Sequence, residues 1–212
     1  MHEILDIYDA KLNHIGTADR EEVHRLGYWH QTFHCWIVRS ENTKKYVLFQ
    51  IRDKAKNVEP NKLDITAAGH LKAGETKEDG LRELEEELGV KADISQLHYL
   101  GIRITASENA KQVNKEFAQV YMLHNDTPME QYLLQEGEVA GLVQIEVTDG
   151  LKLCAHEVER VPCTVFKPSK DGIYVEDSTV NFSQFIPRID SYYYKIFIMA
   201  DRYFAGNSYL SI

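Results

Sequence analysis

Three glutamates, Glu83, Glu86 and Glu87, stand at i, i+3 and i+4 within residues 69–90, GHLKAGETKEDGLRELEEELGV. On a helix turning ~100° per residue they share one arc. Leu81, Leu84 and Leu88 fall on a roughly opposite arc, the core face, and Glu85 points away from the trio. Like charges at this spacing repel by about 0.2–0.5 kcal/mol per pair. A divalent cation turns that cost into a binding site, because carboxylate oxygens are the ligands Mg2+ and Mn2+ prefer, and Mg2+ also recruits phosphate oxygens. An isolated run of glutamates reads more readily as a solvated helix face. Here the trio is accompanied by Gly69, by Gly74 and Glu75, by Arg82 directly before Glu83, and by Gly89 and Val90.

The helix must begin near Thr76, which with Asp79 has the spacing of a capping box, and it must stop at Gly89. Around it the chain reads as strands. Residues 28–38 and 46–52 are rich in aromatic and β-branched side chains, and RSENTKK between them has the composition of a hairpin loop. Residues 63–68, 98–106, 116–124 and 142–147 are further strand candidates. Strands, one central helix and more strands predict an α/β chain built as a sandwich on a mixed sheet rather than a doubly wound sheet. Beyond about residue 160 the sequence is turn-rich and gives no clear element until residues 190–204, DSYYYKIFIMADRYF. That stretch has helical spacing, with Asp190 or Ser191 as cap and Gly206 past the end. This divides the chain into a main domain over residues 1–160 and a helical C-terminal extension, 161–212, packed on it. Some 50 residues would make a meagre core of their own.

The chain has 212 residues, 33 acidic against 24 basic, and a formal net charge of −9. That balance argues against general nucleic-acid binding, which needs Lys and Arg on phosphates. It also repels a free diphosphate, so a diphosphate ligand requires a bound cation that inverts the local field. No apolar run approaches the ~18 residues of a membrane span, and the N-terminal stretch lacks a signal-peptide core. Cys35, Cys154 and Cys163 lie far apart without a CxxC pair, which points to a reducing, cytoplasmic setting.

The segment resembles the signature of the Nudix family: a glycine, five residues, Glu, seven residues, then R-E-apolar-x-E-E-x-G-apolar. Gly69, Glu75, Arg82, Glu83, Leu84, Glu86, Glu87, Gly89 and Val90 match it. Only six residues, not seven, separate Glu75 from Arg82, which puts the placing of Glu75 in question. The resemblance implies a Nudix-type α/β/α sandwich and a metal site of Glu83, Glu86 and Glu87 holding Mg2+ or Mn2+. It also implies a Glu downstream that completes the metal shell or acts as base, matched by Glu116, and, from family habit, a homodimer.

A closer resemblance runs to a Nudix subgroup related to isopentenyl-diphosphate isomerase, through EEVHRLGYWHQTFHCWIV, Ala68–Gly69–His70 and the NKEF of residues 114–117. It implies a second cluster of metal ligands drawn from His24, His30, His70 and Glu116, with Asn114 where a further Glu would stand. Hydrogen bonding to substrate phosphate is an equal use for His70, beside Gly69. The isomerase's catalytic Cys is replaced by Ala68, which can neither give nor take a proton. Gln135, Glu138 and Val139 match a Q-x-x-E-V element, in which Glu138 is a reserve base or a core-edge residue.

The resemblance thus implies metal-assisted hydrolysis of a diphosphate linkage in a nucleoside diphosphate derivative or related small molecule. Glu86 or Glu116 would handle the attacking water, and Arg82 would orient Glu83. Two alternatives stand beside it: an isomerase-like enzyme, against which Ala68 argues, and a non-catalytic nucleotide sensor, which would not need the Glu trio. In the tail, Tyr192, Tyr193, Tyr194 and Phe197 have core-packing spacing, with base stacking as the other use, and Arg188 and Lys195 are cations within reach of a phosphate.

Overall fold

The computed structural model describes residues 3–56, 58–108, 112–170 and 172–212. Among these residues, eleven strands join one mixed sheet. Its centre is β3, Trp29–Glu41, in which Phe33 to Val38 is buried without interruption. This strand pairs in parallel with β8, Val113–His124, and antiparallel with β4, Lys44–Arg52, and β6, Ala67–His70. Because successive side chains alternate in face, Phe33, Cys35 and Ile37 enter one core and Trp36 and Val38 the other.

On the first face lies α2, Arg82–Leu88, whose Leu84 and Leu88 are fully buried with Phe33 and Ile37. On the second lie α3, Val147–Cys154, and α4, Tyr192–Phe204. The layers are therefore helix, mixed sheet, helices, as the sequence implies. Toward the N-terminus, β1, Ile4–Tyr8, and β2, His14–Asp19, form a hairpin. It is followed by α1, Arg20–Leu26, which is capped by the Asp19 carboxylate on Glu21 N–H (2.9 Å) and stopped by Gly27 at φ 70°.

The strand readings hold with shifted ends. The 39–45 stretch contributes most of its residues to strands, and only Asn42 and Thr43, both at positive φ, make the turn. The 63–68 strand is two short ones, β5, Leu63–Asp64, and β6, while β7, Leu97–Glu108, and β9, Val139–Glu146, are longer than read. The expectation of one central helix is incomplete, because α1 and α3 are also present. Each is a single pair of turns whose apolar residues are too few to show a period. After residue 160 the chain forms a hairpin, β10, Val161–Ser169, and β11, Gly172–Val180. Since β10 pairs with β9 and α4 lies in the larger core, the extension is continuous with the sheet. Tyr192, Tyr193, Ile196, Phe197 and Ala200 are all 2% exposed or less, so they are core, not a stacking surface. Ser191 is the α4 cap by position but makes no side-chain cap bond.

Candidate active site

The loop before α2 is built around Arg82. Its Nε and Nη2 donate to the two oxygens of Glu75 (2.9 and 3.1 Å), Nη2 donates to the His70 carbonyl (2.8 Å), and Nη1 reaches Glu83 and, at 3.3 Å, Glu86. The six-residue spacing leaves Glu75 on Arg82 all the same. A tight turn at Asp79–Leu81 leads into the helix, and the Asp79 carboxylate takes both the N–H and the hydroxyl of Thr76. Thr76 and Asp79 thus pair through side chains, and Gly89 at φ 69° ends the helix. A Cβ on Gly69 would collide with the carboxylate of Glu83, so the glycine is the seat of that side chain.

Of the trio, Glu83 and Glu87 are buried, and Glu86 is exposed. The Glu87 carboxylate accepts from the Ala68 N–H (3.1 Å) and from Gln50 Nε2 (3.3 Å). Burial, then the charge of Glu83, pushes Glu87 up to about 8, and burial likewise raises Glu83. Lys56 is held beside Glu138 and sits in the field of Glu87 and Glu83. Two buried carboxylates that resist ionising together are a donor set suited to a divalent cation, which would supply the missing positive charge.

His24, His30 and His70 come together: one ligand atom of each lies within 4.8 Å of the others. Two of the three are oriented by backbone. His24 Nδ1 meets the Arg20 carbonyl at 2.8 Å and His30 Nδ1 the Tyr28 carbonyl at 3.2 Å. A carbonyl only accepts, so Nδ1 carries the proton in both, and Nε2 presents a lone pair. His70 Nδ1 lies 3.8 Å from Glu3. Burial above all, then the charges of His30 and Arg20, holds His70 well below the ordinary histidine range, and burial lowers His30. Neutral imidazoles with free Nε2 atoms are the ligating form. Glu116 pairs across the sheet with His30 and takes hydrogen bonds from Asn114 (2.9 Å) and Thr105 (3.4 Å). It lies beside the histidines rather than with the α2 carboxylates.

His34 belongs elsewhere, bonded to the Tyr192 hydroxyl at 3.1 Å within the core. Arg188 is committed to Asp64 (2.7 Å) and Tyr193 (3.0 Å). Sequence reasoning does not single out Arg20, Gln50 or Lys56. Arg20 opens α1, Gln50 lies on β4 and Lys56 in the loop after it, so no local pattern marks their approach to the site.

Residues 28–160 match the NUDIX domain family model. The chain is similar to an uncharacterized Nudix hydrolase of Clostridium acetobutylicum, 39% identical over 192 residues, which cover 90% of this chain and 93% of the relative. It is also similar to the isopentenyl-diphosphate Delta-isomerase of Aliivibrio fischeri, 29% identical over 144 residues, covering 67% of this chain and 79% of that one. Among solved structures it resembles DR0079 from Deinococcus radiodurans, with a TM-score of 0.53, 21% identity, and coverage of 73% of this chain and 90% of the other. At that identity the likeness is one of fold.

Proposed function

The chain belongs to the Nudix family of hydrolases, and we propose that it hydrolyses a diphosphate linkage in a small molecule, a nucleoside diphosphate derivative or a relative of one, with Mg2+ or Mn2+ on Glu83, Glu86 and Glu87. The observation that supports this most is the seating of Glu83. Its carboxylate is fixed from one side by Arg82 and lodged in the space left by Gly69, next to a second buried carboxylate, Glu87. Arg82 is held in turn by Glu75 and the His70 carbonyl, so the carboxylate is oriented before a ligand arrives. A bound divalent cation supplies charge for the diphosphate oxygens and acidifies a water. Glu86 is exposed on the same helix face and bonded to Arg82, which suits it to position or deprotonate the attacking water. Glu116 is the second choice for that role, and for completing a metal shell, at the histidine cluster.

The histidine cluster favours a second, softer cation site, because imidazole suits Zn2+, Fe2+ or Ni2+ where carboxylates suit Mg2+ and Mn2+. It also keeps an isomerase-like reaction in view, but Ala68 leaves that chemistry without its thiol. The chain carries no helix, among the described residues, long and apolar enough to cross a membrane.

The test is phosphate release across nucleotides, dinucleotides, nucleotide sugars and isopentenyl diphosphate, with and without Mg2+ or Mn2+, for the wild type and Glu86→Gln. Metal-dependent turnover that falls by about 10²–10⁴-fold in Glu86→Gln, with ligand affinity kept, supports the hydrolase. Unchanged turnover in Glu86→Gln removes it from the mechanism, and no turnover by the wild type on any member overturns the reading.

A further inference from the structure

Directly paired residues of a sheet point to the same face. By register, Arg103 on β7, Ala118 on β8, Thr32 on β3 and His70 on β6 form one row across four strands. His30 belongs to the neighbouring row on the same face. Two members of the row carry buried polar atoms without a hydrogen-bond partner among the described residues: Arg103 Nη1 and Thr32 Oγ1. Both side chains are deeply buried, with Arg103 8% and Thr32 4% exposed.

Arg103 is clamped so that this one nitrogen is left over. Nε and Nη2 donate to the two oxygens of Asp190 (2.6 and 3.0 Å), and the guanidinium lies over the Tyr192 ring at 4.2 Å. Thr32 shows the same signature in a simpler form. A buried strand position there asks only for the shape of valine, yet it carries a hydroxyl whose desolvation no described residue offsets. Ala118, one methyl, is the residue between them in the row. At the other end of the row His70 offers its carbonyl to Arg82. Four adjacent strands place Arg103 about 14 Å from that end, at ~4.8 Å per strand. This is farther than a diphosphate group extends, so Arg103 faces the organic part of a substrate, and Thr32, one strand in from His70, faces the part that joins it to the diphosphate.

Resting on the hydrolase reading, we infer that Arg103 Nη1 and Thr32 Oγ1 form a specificity subsite for a hydrogen-bond-accepting oxygen on that organic part. Either a carbonyl of a base or an oxygen of a second phosphoryl group supplies it. The substrate class is then an oxygen-bearing diphosphate. A plain hydrocarbon diphosphate would strand both donors in a dry site, and a site built to bond an oxygen rejects an analogue lacking it.

The experiment compares kcat/KM in Mg2+ for uridine diphosphate, 5-phosphoribosyl diphosphate and isopentenyl diphosphate, in the wild type, Thr32→Val, Thr32→Ser and Arg103→Lys. Thr32→Val lowers the preference for the oxygen-bearing substrates over isopentenyl diphosphate by about tenfold or more, carried in KM, and Thr32→Ser restores it. Arg103→Lys, which keeps a charge for Asp190, shifts the same ratio. The melting temperature of Thr32→Val stays level, because no bond within the protein is lost. A drop on uridine diphosphate alone names the base carbonyl as the acceptor, and a drop on the phosphoribosyl compound alone names the second phosphoryl group. If the wild type turns over these diphosphates but the ratio does not move, or if it prefers isopentenyl diphosphate, the subsite is wrong and the hydrolase stands. If it turns over none of the three, the subsite is wrong, and the wider panel of nucleotides, dinucleotides and nucleotide sugars decides the hydrolase reading.

Discussion

The carboxylate of Glu83 occupies the volume that a side chain on Gly69 would need. Gly69 is therefore required by a side chain fourteen positions later, not by a turn, and it has no positive φ. Gly69→Ala is expected to displace Glu83 from Arg82 and weaken Mg2+ binding by about 10–100-fold, the usual effect of disturbing a ligand's supports. Calorimetric titration with Mg2+ checks this, and an alanine variant that binds as the wild type does would show that Glu83 is not a ligand.

The tautomers of His24 and His30, each fixed by a backbone carbonyl, lead to an expectation for a softer metal. Co2+ added to the protein should give the visible absorption of a nitrogen-rich, low-coordinate site. His30→Gln should weaken it by about tenfold or more. Glu87→Gln should leave that band in place while weakening Mg2+. A spectrum indifferent to His30→Gln would remove the second site.

Much of this arrangement is legible in the sequence, and what is not has a common cause. Glu83, Glu86, Glu87 and their leucines are set by helical spacing alone, and the strands carrying His30 and Glu116 show in their composition. Arg103 finds Asp190 across 87 positions, and Thr32 meets Ala118 only through a parallel pairing. No window of sequence contains both partners, so neither residue looks unusual. Glu75 is the reverse case. Motif spacing put its position in question, and the turn at Asp79–Leu81 takes up the missing residue. The β10–β11 hairpin hides for a third reason, since β11 is exposed along most of its length and lacks a clean apolar alternation.

Phe197 is wholly buried, lies 5.7 Å ring to ring from Phe49, and packs where Gly150 has no side chain. Phe197→Ala is expected to lower unfolding free energy by about 3–5 kcal/mol. Urea melts followed by the fluorescence of Trp29 and Trp36 and by circular dichroism should shift together. A variant in which the tail melts first, leaving the tryptophan signal native, would mean that α4 is an accessory to the core.

Burial first, then the charges of Arg188 and Arg103, keeps the His34 imidazole neutral well below the ordinary histidine range. The unfolded chain takes up this proton near pH 6.5 and the folded chain does not. The associated stability is therefore full above that pH and is lost as pH falls through it. Between pH 7.5 and 5.5 the wild type should lose about 1 kcal/mol more than His34→Asn, which keeps a polar partner for Tyr192 and cannot titrate. Parallel stability curves for the two proteins would contradict a buried, neutral His34.

The ion pair between Arg103 and Asp190 joins two parts of the chain that similarity treats differently, since the family match ends at residue 160. A fragment cut at that point would retain every signature residue and still lose the counter-charge of a buried guanidinium, the hydroxyl beneath Trp36 and the lid over half the larger core. Such a fragment would be expected to precipitate or to bind unselectively to anions. The residues that carry the family match and the residues that fill the larger core are thus different sets: the first stop at 160, and the second run on to Ala200.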